Sequence, residues 1–317
     1  MDLAGSAIRL VFVKPGVVLR EASARPNRFA QTHGMQEPVR PTRPHGGQPI
    51  GRRRQERAQE IVGVRVGPSV VEERVLPGDV FGGTLTATNV SSGTQTFYIL
   101  VRNIRDLTLD GQPIFAEEGE ATGFELSSWI RVTRDPITIA SGESRTIPFS
   151  IAVPANASPG GHFGAIFLAR TPEPVAESGA GFGFEVATIV NLRIAGEIRE
   201  EAMVREFRTD KGLYGSPNVT FIARVENTGN VLVRPRGPLE IRDMFGERVA
   251  TLVMNEAGGA VLPRGIRQFE ASWLGEGLRF GRHQVVMSMA YGEDGRQTIT
   301  GLLSFWIIPL RVVFPFF

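Results

Sequence analysis

The chain has 317 residues, enough for about two domains, with 42% hydrophobic and 21% charged residues, as in a folded soluble protein. Its 37 glycines and 21 prolines favour a turn-rich all-β chain, and the absence of cysteine excludes disulfides, thiolate zinc sites, iron–sulfur clusters and cysteine nucleophiles. The net charge of +2 is uneven: residues 1–60 hold ten Arg and one Lys against five acids, while the remainder holds 24 basic and 28 acidic residues, so no basic folded face is expected and nucleic acid is excluded as a partner.

Residues 1–60 lack a sustained apolar period. The run "RPNRFAQTHGMQEPVRPTRPHGGQPIGRRRQER" is too polar to offset its ordering entropy, so the arm reads as disordered or misassigned. "AIRLVFVKPGVVL" is a poor signal-peptide core, because Arg9, Lys14 and Pro15 interrupt it. Strand-like patterning begins abruptly at Ile61, just after "RAQE". A mature exported protein starting near Ala58 is expected, with its leader supplied by a different upstream reading.

From Ile61 to Ile308, period-two alternation is common and helical periodicity scarce. "TLTATNV", "TFYILVRNI", "RTIPFSIAVP", "NVTFIARVEN" and "RHQVVMSMAY" read as strands separated by turn clusters. Three motifs then recur in order. "LTATNVSSGTQTF", "SGESRTIPFSI" and "PGGHFGAIFLA" in the first half answer to "FIARVENTGNVLV", "PRGIRQFEASW" and "RFGRHQVVMSMA" in the second. Asn89 aligns with Asn227, Arg145 with Arg267 and His162 with His283. The interval from Arg to His is 17 residues in one copy and 16 in the other; that from Asn to Arg is 56 and 40. The surplus in the first copy falls on a loop or hairpin near residues 106–128.

The expected fold is all-β: two tandem Ig-like β-sandwiches, at 61–197 with the insertion and at 198–308. Asn89 and Asn227 end a strand in an Asx-type turn. The repetition of His162 and His283 marks a packed ring at a strand start rather than a catalytic base. No metal site is expected, since His33 and His45 lie in the arm, and no Gly-x-Ser-x-Gly elbow is present. "ESGAGFGFE" is a flexible loop rather than a phosphate cradle. The acids Asp106, Asp110, Glu117, Glu118 and Glu120 do not have calcium-loop spacing; the insertion holding them is a solvated loop, or a recognition loop on a rigid scaffold. Trp129, just after it, is a tentative binding residue for carbohydrate stacking, against the alternative of a buried sandwich Trp; Trp273 is a packing residue.

"VGVRVGPSVVEERVLPGDVFGGTLTATNVSS" and "SPGGHFGAIFLAR" resemble the first Ig-like domain of WxL-interacting bacterial cell-surface proteins. "VENTGNVLVRPRGPLEIRDMFGERV" resembles the domain that comes after it, so the resemblance covers about residues 61–308. His162 stands where an aromatic Tyr is more usual in that family. The resemblance implies a non-enzymatic, cofactor-free protein outside the cytoplasm, binding cell-wall polysaccharide (peptidoglycan) or a surface protein. It also implies a C-terminal membrane span. Here the end, "LLSFWIIPLRVVFPFF", carries Pro309, Arg311 and Pro315, so residues 309–317 are the start of a truncated span or an apolar end packed on its own domain. The alternative function is that of a periplasmic-chaperone-like pair of Ig domains acting by β-strand addition, which predicts a long exposed edge strand and a basic cleft between domains.

Overall fold

The computed structural model describes residues 63–117, 119–172, 185–277 and 279–309. The arm at 1–60, the glycine-rich loop at 179–183 and the tail beyond Pro309 lie outside the described residues. The chain from Val62 onward clusters as one compact unit containing two β-sandwiches.

The N-terminal sandwich contains β1 (Val64–Gly67), β2 (Val70–Val75), β3 (Val80–Asn89), β4 (Gln95–Leu107), β5 (Pro113–Phe115), β6 (Ile130–Val132), β7 (Ile137–Ile139), β8 (Ser144–Ala152), β9 (Gly160–Ala169) and β10 (Glu185–Ile194). One sheet runs β1-β3-β8-β6 and the other β2-β10-β9-β4-β5, with β7 paired to the start of β4. The C-terminal sandwich contains β11 (Ala202–Thr209), β12 (Leu213–Tyr214), β13 (Asn218–Asn227), β14 (Gly237–Arg242), β15 (Arg248–Met254), β16 (Ile266–Leu274), β17 (Gly281–Tyr291) and β18 (Gln297–Ile307). Its sheets run β11-β13-β16 and β12-β18-β17-β14-β15. In each copy the first strand pairs antiparallel in one sheet, and the chain then crosses to lie parallel beside the last strand of the other.

Alternation builds both cores. Leu85, Ala87, Ile147, Phe149, Ile151, Ile166 and Leu168 point between the first pair of sheets, and Val219, Phe221, Ala223, Val225, Val285, Met287 and Met289 between the second. Strand β9 departs from alternation, because all its residues are buried. Its inward residues Ile166 and Leu168 join the sandwich core, while Phe163, Ala165 and Phe167 pack against Ile104, Phe115 and Phe124. Burial on both faces accounts for the continuous apolar run "FGAIFLA".

The two copies share their register. Asn89 aligns across the sheet with Glu143, whose carbonyl accepts its N–H, and Asn227 relates in the same way to Gly265. Arg145 and Arg267 therefore hold equivalent ladder positions, opposite Ala87 and Val225. Gly160 pairs with Ile194 and His162 with Leu192; Gly281 pairs with Ile307 and His283 with Phe305. Both glycines have positive φ, so the strand entry before each histidine has the same left-handed kink.

Each sandwich is braced by its buried asparagine. Asn89 Oδ1 accepts the Ser91 N–H, while its Nδ2 donates to the carbonyls of Gly93 and Ile139. Asn227 Oδ1 accepts the Gly229 N–H, while its Nδ2 donates to the carbonyls of Val231 and Val261. One side chain thus bonds three backbone groups in two separate segments of the chain. Asn227→Ala leaves the Val231 carbonyl without its partner and removes one of two bonds at both the Gly229 N–H and the Val261 carbonyl, a cost of about 1–3 kcal/mol. Asn227→Asp is expected to cost at least as much, since a carboxylate oxygen would face two carbonyls. Denaturant unfolding of both variants checks this; a loss under about 1 kcal/mol in each would show that the brace contributes little.

Candidate interaction edge and the joint that presents it

The histidines sit at equivalent poles of the two sandwiches, in different surroundings. His162 is buried beside Trp129, with ring centroids 4.5 Å apart. Its Nδ1 lies 2.9 Å from the Glu125 carbonyl oxygen, and its Nε2 lies 3.0 Å from the Ser158 carbonyl oxygen and 3.3 Å from the Ser158 hydroxyl. The ring therefore ties the end of the insertion to the start of β9. Trp129 is half-buried against that ring and the N-terminal core. His283 stacks on Phe305 at 5.3 Å beside the buried Trp273, its Nδ1 donating to the Gly281 carbonyl and its Nε2 buried without a partner. Burial holds its pKa below the ordinary 6.5. No group of three or more His, Cys, Asp or Glu among the described residues is placed to hold a metal ion. Nor is any described helix long and apolar enough to cross a membrane.

Arg145 is exposed on β8, whereas Arg267 is drawn into contact with the other sandwich. It donates to the Ala260 and Asp110 carbonyls and lies over the Phe269 ring. Its guanidinium fills the space where a side chain on Gly111 or Gly259 would stand. The insertion is thus neither a free loop nor a solvated one. Phe124 is buried against Phe163 and Leu262, the Arg264 guanidinium covers its ring, and the Leu109 carbonyl accepts the Gln268 N–H at the edge of β16. Asn103 Oδ1 accepts the N–H groups of Leu126 and Ser127 and fixes the returning segment.

These contacts form a head-to-tail joint. The pole of the N-terminal sandwich that carries His162 meets the pole of the C-terminal sandwich that carries the Asn227 brace. Asn230, in the braced turn, accepts the Gly161 N–H through its main-chain oxygen and the Arg199 N–H through Oδ1, while its Nδ2 donates to the Glu197 carbonyl. A Cβ at Gly229 would stand 2.1 Å from the Arg199 oxygen, and one at Gly160 would stand 2.6 Å from the Asn230 oxygen. Around this backbone contact, Arg193 pairs with Glu200 and Glu293, Arg74 with Glu293, and Arg234 with Glu72. Arg74, Arg193 and Arg234 are paired with acids here, while Arg264 and Arg267 lie over aromatic rings, so the basic residues of this joint are engaged within it.

The two sandwiches differ most at the last strand. In the first, β2 covers β10 over six residue pairs, Ile189↔Val70 through Ile194↔Val75. In the second, β12 meets β18 only at Leu213↔Trp306 and Tyr214↔Ile307. The cause is local: β11 stays on β13 for its whole length, and the chain then turns tightly at Asp210. There the Tyr214 hydroxyl donates to the Asp210 carboxylate, which also accepts the Thr220 N–H, and the tyrosine oxygen accepts the Lys211 N–H. The crossing comes too late to cover β18. Among the described residues, one row of backbone groups from Thr298 to Phe305 has no strand hydrogen-bonded to it, although β11 of the other sheet packs nearby through Phe207.

That edge lacks the usual protection of an open strand. "TITGLLS", Thr298–Ser304, has no charge and no proline, and β18 keeps register with β17 throughout. The other edges are defended or shorter. Strand β11 has a register shift beside Arg205 and carries Glu206 and Arg208, β16 is met by the insertion, and β15 is shorter, starts at Arg248 and pairs with β14 across a register shift. The mouth beside β18 is apolar: Phe207 lies under Gly301, and both Phe207 and Leu303 are half-buried against the core. Leu302, on the outer face, is 76% exposed.

No family model and no curated protein matches the chain. Solved structures similar to it include the class 5 fimbriae chaperone CfaA, at 10% identity and a TM-score of 0.37 over 76% of this chain and 98% of that one. The YadV chaperone has 9% identity and a TM-score of 0.36 over 76% and 99%. The CsuC–CsuE chaperone–tip adhesion subunit complex of Acinetobacter baumannii has 11% identity and a TM-score of 0.36 over 78% and 99%. At these values the likeness says nothing about what this chain binds. Its own strands define an all-β protein of two tandem Ig-like sandwiches.

Two outcomes are expected. Gly229→Val pushes a side chain into the Arg199 backbone, so the two sandwiches, which melt together in the parent, separate into two transitions in calorimetry; one unchanged transition would show that the joint does not couple them. For His283, the unfolded chain takes up a proton before the folded one does, so stability is full above about pH 6.5 and falls as the pH drops below it. His283→Gln has no titrating group there and should flatten the profile between about pH 6.5 and 5 in denaturant titrations; parallel profiles would overturn the assignment.

Proposed function

We propose that this chain is a non-enzymatic binding protein acting outside the cytoplasm, which takes an extended segment of a partner protein alongside β18. The observation that carries this is the uncharged, unprotected edge from Thr298 to Phe305, left open where the equivalent strand β10 is covered. Strand addition supplies main-chain hydrogen bonds along the edge, while alternate side chains set specificity. A partner segment with alternating apolar residues suits this site. One side chain would enter the mouth between Phe207 and Leu303, and the next would lie over Leu302. The paired arginines of the joint support a rigid mount for this edge rather than a site of their own. The extracytoplasmic setting rests on the resemblance to wall-associated surface proteins. Wall-polymer binding rests on that resemblance too, and Trp129, the stacking residue it would use, is half-buried against His162.

Peptides selected from a displayed library against the whole chain test the proposal. Selected sequences should alternate apolar and polar residues, and their binding should slow hydrogen exchange at Thr298–Phe305. Thr300→Lys combined with Leu302→Lys places two charges on exposed positions of β18 and should weaken binding at least about tenfold. Protection elsewhere, or unchanged affinity in the double variant, would remove the β18 edge as the site.

A further inference from the structure

The second sandwich has a second unusual surface, independent of the β18 edge. The pole that carries His162 in the first copy is covered by the joint; among the described residues, nothing covers the equivalent pole in the second copy, which carries His283. It is also apolar. Phe245 is 83% exposed and Leu274 74% exposed, and Leu213, Met244, Phe280 and Trp306 are about half exposed.

These six side chains come from every loop at that end. Met244 and Phe245 form the tip of the β14–β15 hairpin, where the first copy grows its insertion. Leu274 ends β16, Phe280 precedes β17, and Leu213 pairs with Trp306 at the end of β18. Met244 packs against Gly281, which brings the hairpin tip to the start of β17. Exposed Lys211, Arg242, Arg248 and Arg282 stand around the apolar residues; Lys211 pairs with Asp210, Arg242 and Arg248 pair with Glu240, and Arg282 donates to the Ser304 hydroxyl. Of the acids nearby, Asp210 accepts from Tyr214 and Thr220, and Asp243 accepts the N–H groups of Phe245 and Glu247, so it shapes the turn that presents Phe245. Glu247 and Glu276 are exposed.

The sequence beyond this pole differs between the copies. After Ile194 the chain continues through a polar linker into another sandwich that covers the pole. After Ile307 it continues as Ile-Pro-Leu-Arg-Val-Val-Phe-Pro-Phe-Phe. An apolar sequence continuing from a pole of exposed Trp, Phe, Met and Leu, rimmed by charges of both signs, has the chemistry of a bilayer interface, where aromatic side chains bury their rings at headgroup depth and long basic ones reach the headgroups.

We propose that the far pole of the C-terminal sandwich rests on a lipid surface. Phe245, Phe280, Leu274 and Trp306 enter the interface, and Lys211 and Arg282 lie at headgroup level. The exposed hairpin tip leads the contact.

The test uses the full chain and vesicles of equal parts phosphatidylcholine and phosphatidylglycerol. The protein should cosediment with them. Brominated acyl chains should quench a component of the tryptophan emission that is absent in Trp306→Phe, because Trp306 is exposed at this pole while Trp273 is buried and Trp129 belongs to the other sandwich. Phe245→Ser combined with Phe280→Ser alters two exposed loop positions and leaves the tail intact; it should lower vesicle binding at least about tenfold while the melting profile is unchanged. A second variant, Phe314→Ser with Phe316→Ser, reports the tail separately. Absence of vesicle binding, or binding that survives the Phe245/Phe280 change with no quenching of Trp306, would overturn the proposal, the latter because the tail alone would then carry the affinity.

Discussion

The buried asparagine at the end of the third strand of each sandwich is the constraint on which the rest depends. Asn227 closes its own sandwich by holding the turn at Thr228–Val231 against the loop at Val261. That turn carries Gly229 and Asn230, whose backbones receive the first sandwich through Gly161 and Arg199. The brace therefore acts at two levels, on the local turn and on the joint beyond it. In the first copy Asn89 makes the same three bonds, but its turn meets no second sandwich, and Ser91 bonds instead to Gly63. The same local chemistry serves a closure in one copy and a closure with an interface in the other.

Much of this was legible in the residues. A small amide side chain followed by Ser-Ser-Gly or Thr-Gly-Asn is a local turn signal, and its repetition with Arg and Gly-x-His downstream located equivalent strands. The uninterrupted apolar run after His162 also carried information, because a strand covered on both faces loses its alternation. The identity of the cover on the second face was not legible. The insertion contains the acids of a solvated loop, yet Phe124 and the Leu109 carbonyl reach across to a neighbour more than a hundred residues later. Contacts of that kind rest on main-chain oxygens and on glycines with no room for a Cβ, and neither leaves a periodic trace.

The open edge was illegible for another reason. Nothing in "TITGLLS" says that its neighbour is missing; the cause lies about ninety residues earlier, where Asp210 and Tyr214 turn the chain late and leave β12 two residues long. The alternative of strand addition could thus be framed from the fold class, but the strand involved could not be named. The histidines illustrate the opposite case. Recurrence alone marked them as packed rings, and the partners they find differ: three polar atoms and a tryptophan for His162, aromatic neighbours and an orphaned nitrogen for His283.

The head-to-tail joint also sets what the facing ends of two such sandwiches must offer. To accept a third sandwich at its far pole, the second would have to offer an insertion like the one around Phe124 and a linker like Ala195–Glu201. It has instead a short hairpin tipped by Phe245 and a chain that turns apolar after Ile307. The duplication is consequently no longer modular. The first copy meets its neighbour through the Phe124 cluster and the second receives it at Gly229, so the two copies share a fold but not the ends they present.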